Sequence, residues 1–319
     1  MAGRTAVGVV LDCGTVQVVE LAADGQGLQV RRAISETLPA EAFADGNLAD
    51  AGVVAEALRH IFRTHRLPRR NVCLAFGGRL AIARVIEVTE TNPAEAERML
   101  SDRIARYAIY ENREIFWKAA PVDVDLEDKR AYLAAAVPKD QVCTLLPALH
   151  RVGVYVSHLE PYALATMRSL VPCMGEEERP AILVTLRHEC TDFLIARGRQ
   201  PMLFRSIDQG VRGLTARPET VEDLLMEARR AVEFSRSRFP AERPRLWLCL
   251  GAAEGIQELP AVLARFQQEL DSADVDALPA LSGVARSAQI AESDMQAWAA
   301  VGAAMIGLGR TEAIPHLNL

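Results

Sequence analysis

Val7-Gly8-Val9-Val10-Leu11-Asp12-Cys13-Gly14-Thr15-Val16-Gln17-Val18-Val19-Glu20-Leu21 is the stretch on which the reading of this chain turns. An apolar strand runs to Leu11, a polar Asp12-Cys13-Gly14-Thr15 reverses it, and a second strand returns from Val16. Gly14 supplies the backbone freedom that a tight turn needs. In such a turn the amides and the Thr15 hydroxyl can face an anion, and Asp12 stands where a metal-bound water is held. The same residues also suit an ordinary glycine-turn hairpin, so the hairpin alone leaves both readings open.

The chain has 319 residues, half of them hydrophobic and about a quarter charged. That mixture is globular, and the length suits about two domains or one domain with two lobes. A net charge of −6 provides no global basic field for nucleic acid. The six cysteines, at 13, 73, 143, 173, 190 and 249, form no CxxC pair. They read as buried reduced thiols of a cytosolic protein. The apolar run behind Arg4 stops at Asp12, too early for a signal peptide. Met295 to Gly309 is uncharged but only fifteen residues long, which suits a buried helix rather than a membrane span.

Outward from the hairpin, Leu28 to Ile34 predicts a third strand, and residues 36–50 read as loop. Asp50 is the candidate N-cap of a helix to His65, with Val53, Val54, Ala57, Leu58, Ile61 and Phe62 on one face. Asn71 to Val88 reads as a hairpin turning at Gly77-Gly78. Helices are expected over 93–108, 139–150 and 161–170, and strands over 115–124, 132–137 and 152–156. A polar hinge, Pro172 to Pro180, divides the chain. Strands follow at 181–186, 191–197 and 201–207, then a helix over 218–238, a strand over 245–250 and a helix over 256–270. Residues 271–293 read mostly as loop, before a last helix at 295–308. The hairpin, its third strand and the later helices thus occur twice, from residue 7 and from residue 181, which describes two lobes around a cleft.

Duplicated hairpin lobes opening with Asp-x-Gly-Thr resemble the actin, Hsp70 and sugar-kinase superfamily. Within it the chain is similar to the type IV pilus assembly protein PilM family, relatives of the cell-division protein FtsA. The opening Gly8 to Leu21 carries this resemblance, as does Gly153-Val-Tyr-Val-Ser-His-Leu-Glu160-Pro161-Tyr162-Ala163-Leu164, the most specific segment. Gly198-Arg-Gln-Pro201 with Phe204-Arg205, Val232 to Phe239 and Ala300 to Leu308 extend it over nearly the whole chain. The resemblance implies an α/β, two-lobed actin-like fold with duplicated hairpin-rich sheets around a central cleft. It implies a first lobe over 1–171 with a small inserted subdomain at about 72–128, a second lobe over 180–290, and a closing helix in 291–319 returning to the first lobe. It implies a nucleotide cleft for ATP and magnesium lined by Asp12, Gly14, Thr15, Gln17, Thr191, Gly251 and Ala252, with Asp12 holding the metal through water. It also implies a cytoplasmic adaptor at the inner-membrane face. Its partner would be PilN, an inner-membrane protein whose N-terminal tail, built around Asn-Leu-Leu-Pro, binds the PilM surface.

Several positions depart from the family pattern. The lysine of the first phosphate loop is Gln17, and the second loop's Asp-x-Gly is Thr185-Leu186-Arg187. Of the following hydroxyls Thr191 remains, and the adenosine-side triple glycine is Gly251-Ala252-Ala253. Without its glycines a loop cannot bring amides close to a phosphate. The expectation is a scaffold with nucleotide binding weakened or lost and no catalytic residue. An ATP-binding switch of the same machine is the alternative, as is a domain like the cytoplasmic part of the type II secretion protein GspL. A small-molecule kinase stands further off.

Arg187 and His188 read as exposed turn residues, the alternative being that they hold a phosphate in place of the lost loop. His158 and Glu160 read as a strand-to-helix junction, the alternative being acid–base work. His60 and His65, five apart, are misaligned for a shared metal. The small residues of 299–309 read as a surface for close helix-on-sheet packing. Ile314-Pro315-His316-Leu317-Asn318-Leu319 resembles the PilN-type tail, and reads as a gene-fusion junction, a frayed end, or a segment for self-association on a neighbouring copy.

Overall fold

The computed structural model describes residues 4–12, 14–24, 27–44, 46–77, 81–89, 92–107, 113–122, 129–170, 179–198, 200–216, 219–250, 259–277, 284–286, 297–310, 314 and 317–319. It divides into two compact units, residues 1–170 with 283–319, and residues 171–282.

The first unit opens with an antiparallel meander of β1 (Arg4–Asp12), β2 (Thr15–Asp24) and β3 (Gly27–Thr37). Two short strands, β4 (Phe43–Ala44) and β5 (Asn47–Leu48), pair within the stretch read as loop. Helix α1 (Ala51–Thr64) starts at Asp50, whose carboxylate accepts from the Gly52 and Val53 amides at 2.7 and 3.1 Å. Alternation along β1 sorts its side chains. Val7, Val9 and Leu11 join Leu58, Ile61 and Phe62 in one core, while Gly8 faces the opposite side of the sheet.

The expected hairpin over 71–88 does not form. β6 (Val72–Phe76) lies parallel to β1, whereas β7 (Ile82–Val88) belongs to another sheet. The reason lies in the patterns of the two strands. Every residue of β6 is buried, as a central parallel strand covered on both faces requires, while β7 is only partly buried, with Ala83, Ile86 and Val88 inside. Helix α2 (Pro93–Ala105), β8 (Ile115–Val122) and β9 (Arg130–Pro138) complete a small sheet, ordered β7-β9-β8, with Leu100 and Ile104 of α2 packed on it.

After α3 (Lys139–Arg151) the next strand is β10 (Val156–Pro161), later than the expected 152–156. Gly153, at φ +79°, instead ends α3, and Val154 donates back to Leu149 at 2.9 Å. β10 extends the large sheet, whose order is β10-β6-β1-β2-β3-β16. Helix α4 (Tyr162–Leu170) follows and is buried at every position.

In the second unit β11 (Pro180–Leu186), β12 (Thr191–Arg197) and β13 (Gln200–Ile207) repeat the antiparallel meander. A short helix not expected from the sequence, α5 (Val211–Ala216), precedes α6 (Glu219–Arg238). β14 (Arg245–Leu250) lies parallel to β11, and α7 (Leu259–Glu269) leads to β15 (Asp274–Ala277). The order β13-β12-β11-β14-β15 matches β3-β2-β1-β6-β10 of the first unit, so the repetition read from the sequence is a repetition of topology. The chain returns to the first unit through β16 (Val284–Arg286), which pairs with β3, and α8 (Trp298–Gly307). β15 and β16 fall in the stretch read as loop. Asp274-Val275-Asp276-Ala277 has no apolar run, and only pairing with β14 makes it a strand.

Helix α8 packs backbone-close on β1 and α4, as its small residues suggested. A Cβ on Gly8 would lie 1.8 Å from the Ala300 carbonyl oxygen, and one on Gly302 would lie 1.8 Å from that of Ala165. Among the described residues no helix is long and apolar enough to cross a membrane.

Cys73, Cys190 and Cys249 are buried, but Cys143 is exposed on α3, correcting the reading that all the thiols are buried. Cys13 and Cys173 lie outside the described residues. Burial pushes the Cys73 thiol up to about 11, while a hydrogen bond with Ser157 pulls it the other way. Brief iodoacetamide treatment of the folded protein is therefore expected to modify Cys143 and spare Cys73, read by peptide mass spectrometry. Equal modification of both would contradict the packing around β6.

Candidate functional site

The first turn is built as its sequence suggested. Asp12 and Thr15 face each other across the β1–β2 ladder, and Gly14 between them has φ +78°. The Gly14 carbonyl accepts from Leu38 at 2.8 Å, which ties the turn to the end of β3. Asp12 is 9% exposed at the end of β1. Gly77 passes against it: its amide donates to Leu11 at 2.8 Å, and a Cβ there would fall 2.6 Å from Asp12 Oδ1. Gln17 is buried two residues further along β2, opposite Val10. Asp12, Gly14, Thr15 and Gln17 are therefore brought together at one end of the first sheet, with Gly77 as a neighbour.

The equivalent turn of the second unit, between β11 and β12, is built on different chemistry. Arg187 is 2% exposed, which corrects its reading as an exposed turn residue. Its Nη1 donates to Asp192 Oδ2 at 3.0 Å, and the Ser206 hydroxyl donates to Asp192 Oδ1 at 2.6 Å. A cation is tolerated at this depth because a carboxylate of the returning strand meets it. His188 is half-buried, with Nε2 3.6 Å from Glu189.

The segment before α5 closes over this turn. Val211 and Arg212 donate their amides to the Arg187 and His188 carbonyls at 2.8 and 3.1 Å. Gly210 fits so tightly that a Cβ would lie 2.5 Å from the Arg187 oxygen and 2.6 Å from the Cys190 nitrogen. The Thr191 hydroxyl donates to the Gln209 carbonyl at 2.6 Å. Thr191 is thus engaged with the protein's own backbone. Gly251 and Ala252 lie outside the described residues.

Behind the first turn, β10 and α4 hold a fully buried ion pair. Arg168 Nη1 and Nη2 donate to Glu160 Oε1 and Oε2 at 2.6 and 2.9 Å, and Nη1 also reaches the Gly302 carbonyl at 3.3 Å. Burial holds the Glu160 carboxyl above the usual carboxylate range, against the pull of Arg168. His158 and Glu160 both lie on the strand that runs directly into α4, the junction expected of them.

The first unit also carries a groove of about 580 Å³ between α2 and the β8–β9 face, lined by Ala96, Leu100, Trp117, Ala119, Tyr132 and Leu317. An open groove of about 1020 Å³ lies along β14 and β15 of the second unit, and its Arg243 is paired with Asp274 at 2.7 Å. Among the described residues no group of three or more His, Cys, Asp or Glu side chains is placed to hold a metal.

Gly77, Arg168, Asp192 and Gln209 were not picked out from the sequence as site residues. Asp192 had a signal: it follows Arg187 by five residues across a hairpin, within reach of a cross-strand pair. Arg168 had the weaker signal of a cation inside an otherwise apolar helix.

A family model described as type IV pilus assembly protein PilM matches residues 8–231. Among solved structures, the PilM-PilN type IV pilus biogenesis complex is similar, with a TM-score of 0.74 at 18% identity over 97% of this chain and 99% of that one. A Bacteroides thetaiotaomicron protein with an actin-like ATPase fold has a TM-score of 0.52 at 9% identity, over 93% and 95% of the two chains. The cytoplasmic domain of EpsL, of the Vibrio cholerae type II secretion system, has a TM-score of 0.47 at 12% identity over 93% and 95%. No curated protein matches the chain by sequence. The fold is actin-like.

Proposed function

The chain belongs to the type IV pilus assembly protein PilM family, and from that premise we propose that it is a scaffold of a pilus machine rather than an ATPase. It works in the cytoplasm at the inner-membrane face, where it takes the N-terminal tail of a PilN-like membrane protein. The groove between α2 and the β8–β9 face is the receptor for that tail, since an extended apolar peptide needs an apolar trough beside a strand.

The observation that carries the non-catalytic reading is the closed second turn. The residues there do not fit a triphosphate. An anion site needs open amides and glycines; this turn has no glycine, its Arg187 amide donates to the Cys190 carbonyl at 2.9 Å, Gly210 packs against it, and the Thr191 hydroxyl is turned to Gln209. Arg187 does not replace the lost loop, because Asp192 neutralises it. An ATP-binding switch remains the second reading, favoured by the first turn alone, where Asp12, Gly14 and Thr15 keep a geometry suited to a metal-bound water.

Calorimetry separates the two. No saturable heat is expected from ATP with magnesium at millimolar concentration, whereas a PilN-like tail peptide is expected to bind. Micromolar ATP binding that Asp12→Ala abolishes would overturn the scaffold reading in favour of the switch.

A further inference from the structure

Of the segment read as a possible frayed end, Ile314 and residues 317–319 are described, and these pack on their own chain. Ile314 and Leu317 are each 3% exposed. Leu317 lines the groove between α2 and the β8–β9 face, and Leu319 packs against the core beneath α1 and α3. The Asn318 side chain and the Leu319 amide are bonded to β10, the edge strand of the large sheet. Leu319 donates its amide to the Leu159 carbonyl at 3.0 Å, and the Leu159 amide donates to Asn318 Oδ1 at 3.0 Å. Two leucines on apolar sites, with one backbone bond and one side-chain bond to a strand edge, are the kinds of anchor by which a short linear peptide is held.

We propose that residues 317–319, with Leu317 at the partner groove, are an intramolecular competitor that an extended Leu/Asn-rich peptide must displace. The inference rests on the reading that the partner offers such a tail. The groove is not filled by Leu317: Trp117, Ala119 and Tyr132 stay partly exposed along it, so an incoming peptide has a place to start before the segment leaves. A competing internal ligand lowers apparent affinity in proportion to the fraction of time it is seated. The machine would then engage this chain only where partner tails are concentrated, as at a membrane.

The test uses a labelled synthetic peptide, Ile-Pro-His-Leu-Asn-Leu, against the full chain and against the Leu317→Ser/Asn318→Ala variant. The peptide is expected to bind the variant about tenfold or more tighter than the unmodified chain. Adding Ala119→Glu, on the partly exposed wall of the groove, to the variant is expected to remove that binding. Equal affinity for both forms, or none for either, overturns the proposal. So does a dimer of the unmodified chain that the variant turns into a monomer, since the segment would then dock on a second copy. Where the variant fails to fold, hydrogen exchange on the unmodified chain decides: exchange of the Leu159 and Leu319 amides only through global unfolding overturns displacement, and exchange through local opening supports it. A PilN-like peptide that binds neither form, while the synthetic segment binds the variant, overturns the partner assignment and leaves the docked segment standing.

Discussion

Arg168→Met is expected to destabilise the first unit by about 3–5 kcal/mol, because it strands a buried carboxylate. Glu160 has no exposed surface, and both its oxygens are held by the Arg168 guanidinium. Methionine keeps much of the volume and removes the charge, so the loss is electrostatic before it is steric. The pH dependence identifies the cause. Burial already holds the Glu160 carboxyl above the usual carboxylate range, and removing Arg168 raises it further. The folded variant then binds a proton that the unfolded chain does not, so its stability rises as pH falls toward the ordinary carboxylate value. Urea titrations are expected to show the deficit against the unmodified chain shrinking from about pH 7 to about pH 5. A deficit that stays flat across that range would mean the loss is one of packing only. Glu160→Gln in the Arg168→Met background is expected to restore part of the stability at neutral pH, since no buried charge remains.

The second large effect is expected at Gly302. A Cβ there would lie 1.8 Å from the Ala165 carbonyl oxygen and 2.7 Å from its carbon, so the α4 backbone itself must move. Because Gly8 makes the same kind of contact on the other side of α8, the helix has no free direction in which to shift. Gly302→Ala is expected to cost about 3 kcal/mol, the upper part of the range for overpacked cores, although alanine is the better helix former. Gly52→Ala in α1, where the nearest atom is the Asp50 carboxylate at 3.0 Å, serves as the control and is expected to change stability by less than about 1 kcal/mol. Thermal melts of the two variants side by side check this. If Gly302→Ala melts with the unmodified chain, the close approach of α4 and α8 is wrong.

Local pattern made much of the fold legible. The β1–β2 hairpin, the Asp50 cap, the amphipathic face of α1 and the second meander from Pro180 all follow from residue spacing along one element. Misreadings arose where the partner lies far along the chain. Val72 to Phe76 reads equally well as half of a hairpin, and only β1 and β10 on its two sides make it a central parallel strand. Asp274 to Ala277 alternates polar and apolar over only four residues, too short to stand out, and becomes a strand through β14.

The candidate site divides in the same way. Asp12, Gly14, Thr15 and Gln17 are neighbours in sequence as well as in space, so a local reading grouped them. The departures from the family pattern at Thr185-Leu186-Arg187 were also visible as residues. What fills the space they left was not, because Gly210, Val211 and Gln209 reach the turn from beyond two intervening strands.

By itself, then, the sequence determined that this is a duplicated α/β chain with an Asp-Cys-Gly-Thr turn, because strand alternation and turn chemistry are written within a few residues. Tertiary structure alone decided three things. Arg187 is buried, since its carboxylate partner sits on the returning strand. Glu160 has a guanidinium for a partner, since α4 brings Arg168 back over β10. Residues 317–319 lie on the edge of β10 instead of in solvent, since that edge has unpaired backbone groups that a passing segment can satisfy. In each case the deciding interaction joins groups that no local period relates, and desolvation makes leaving either partner alone more costly than bringing the two together.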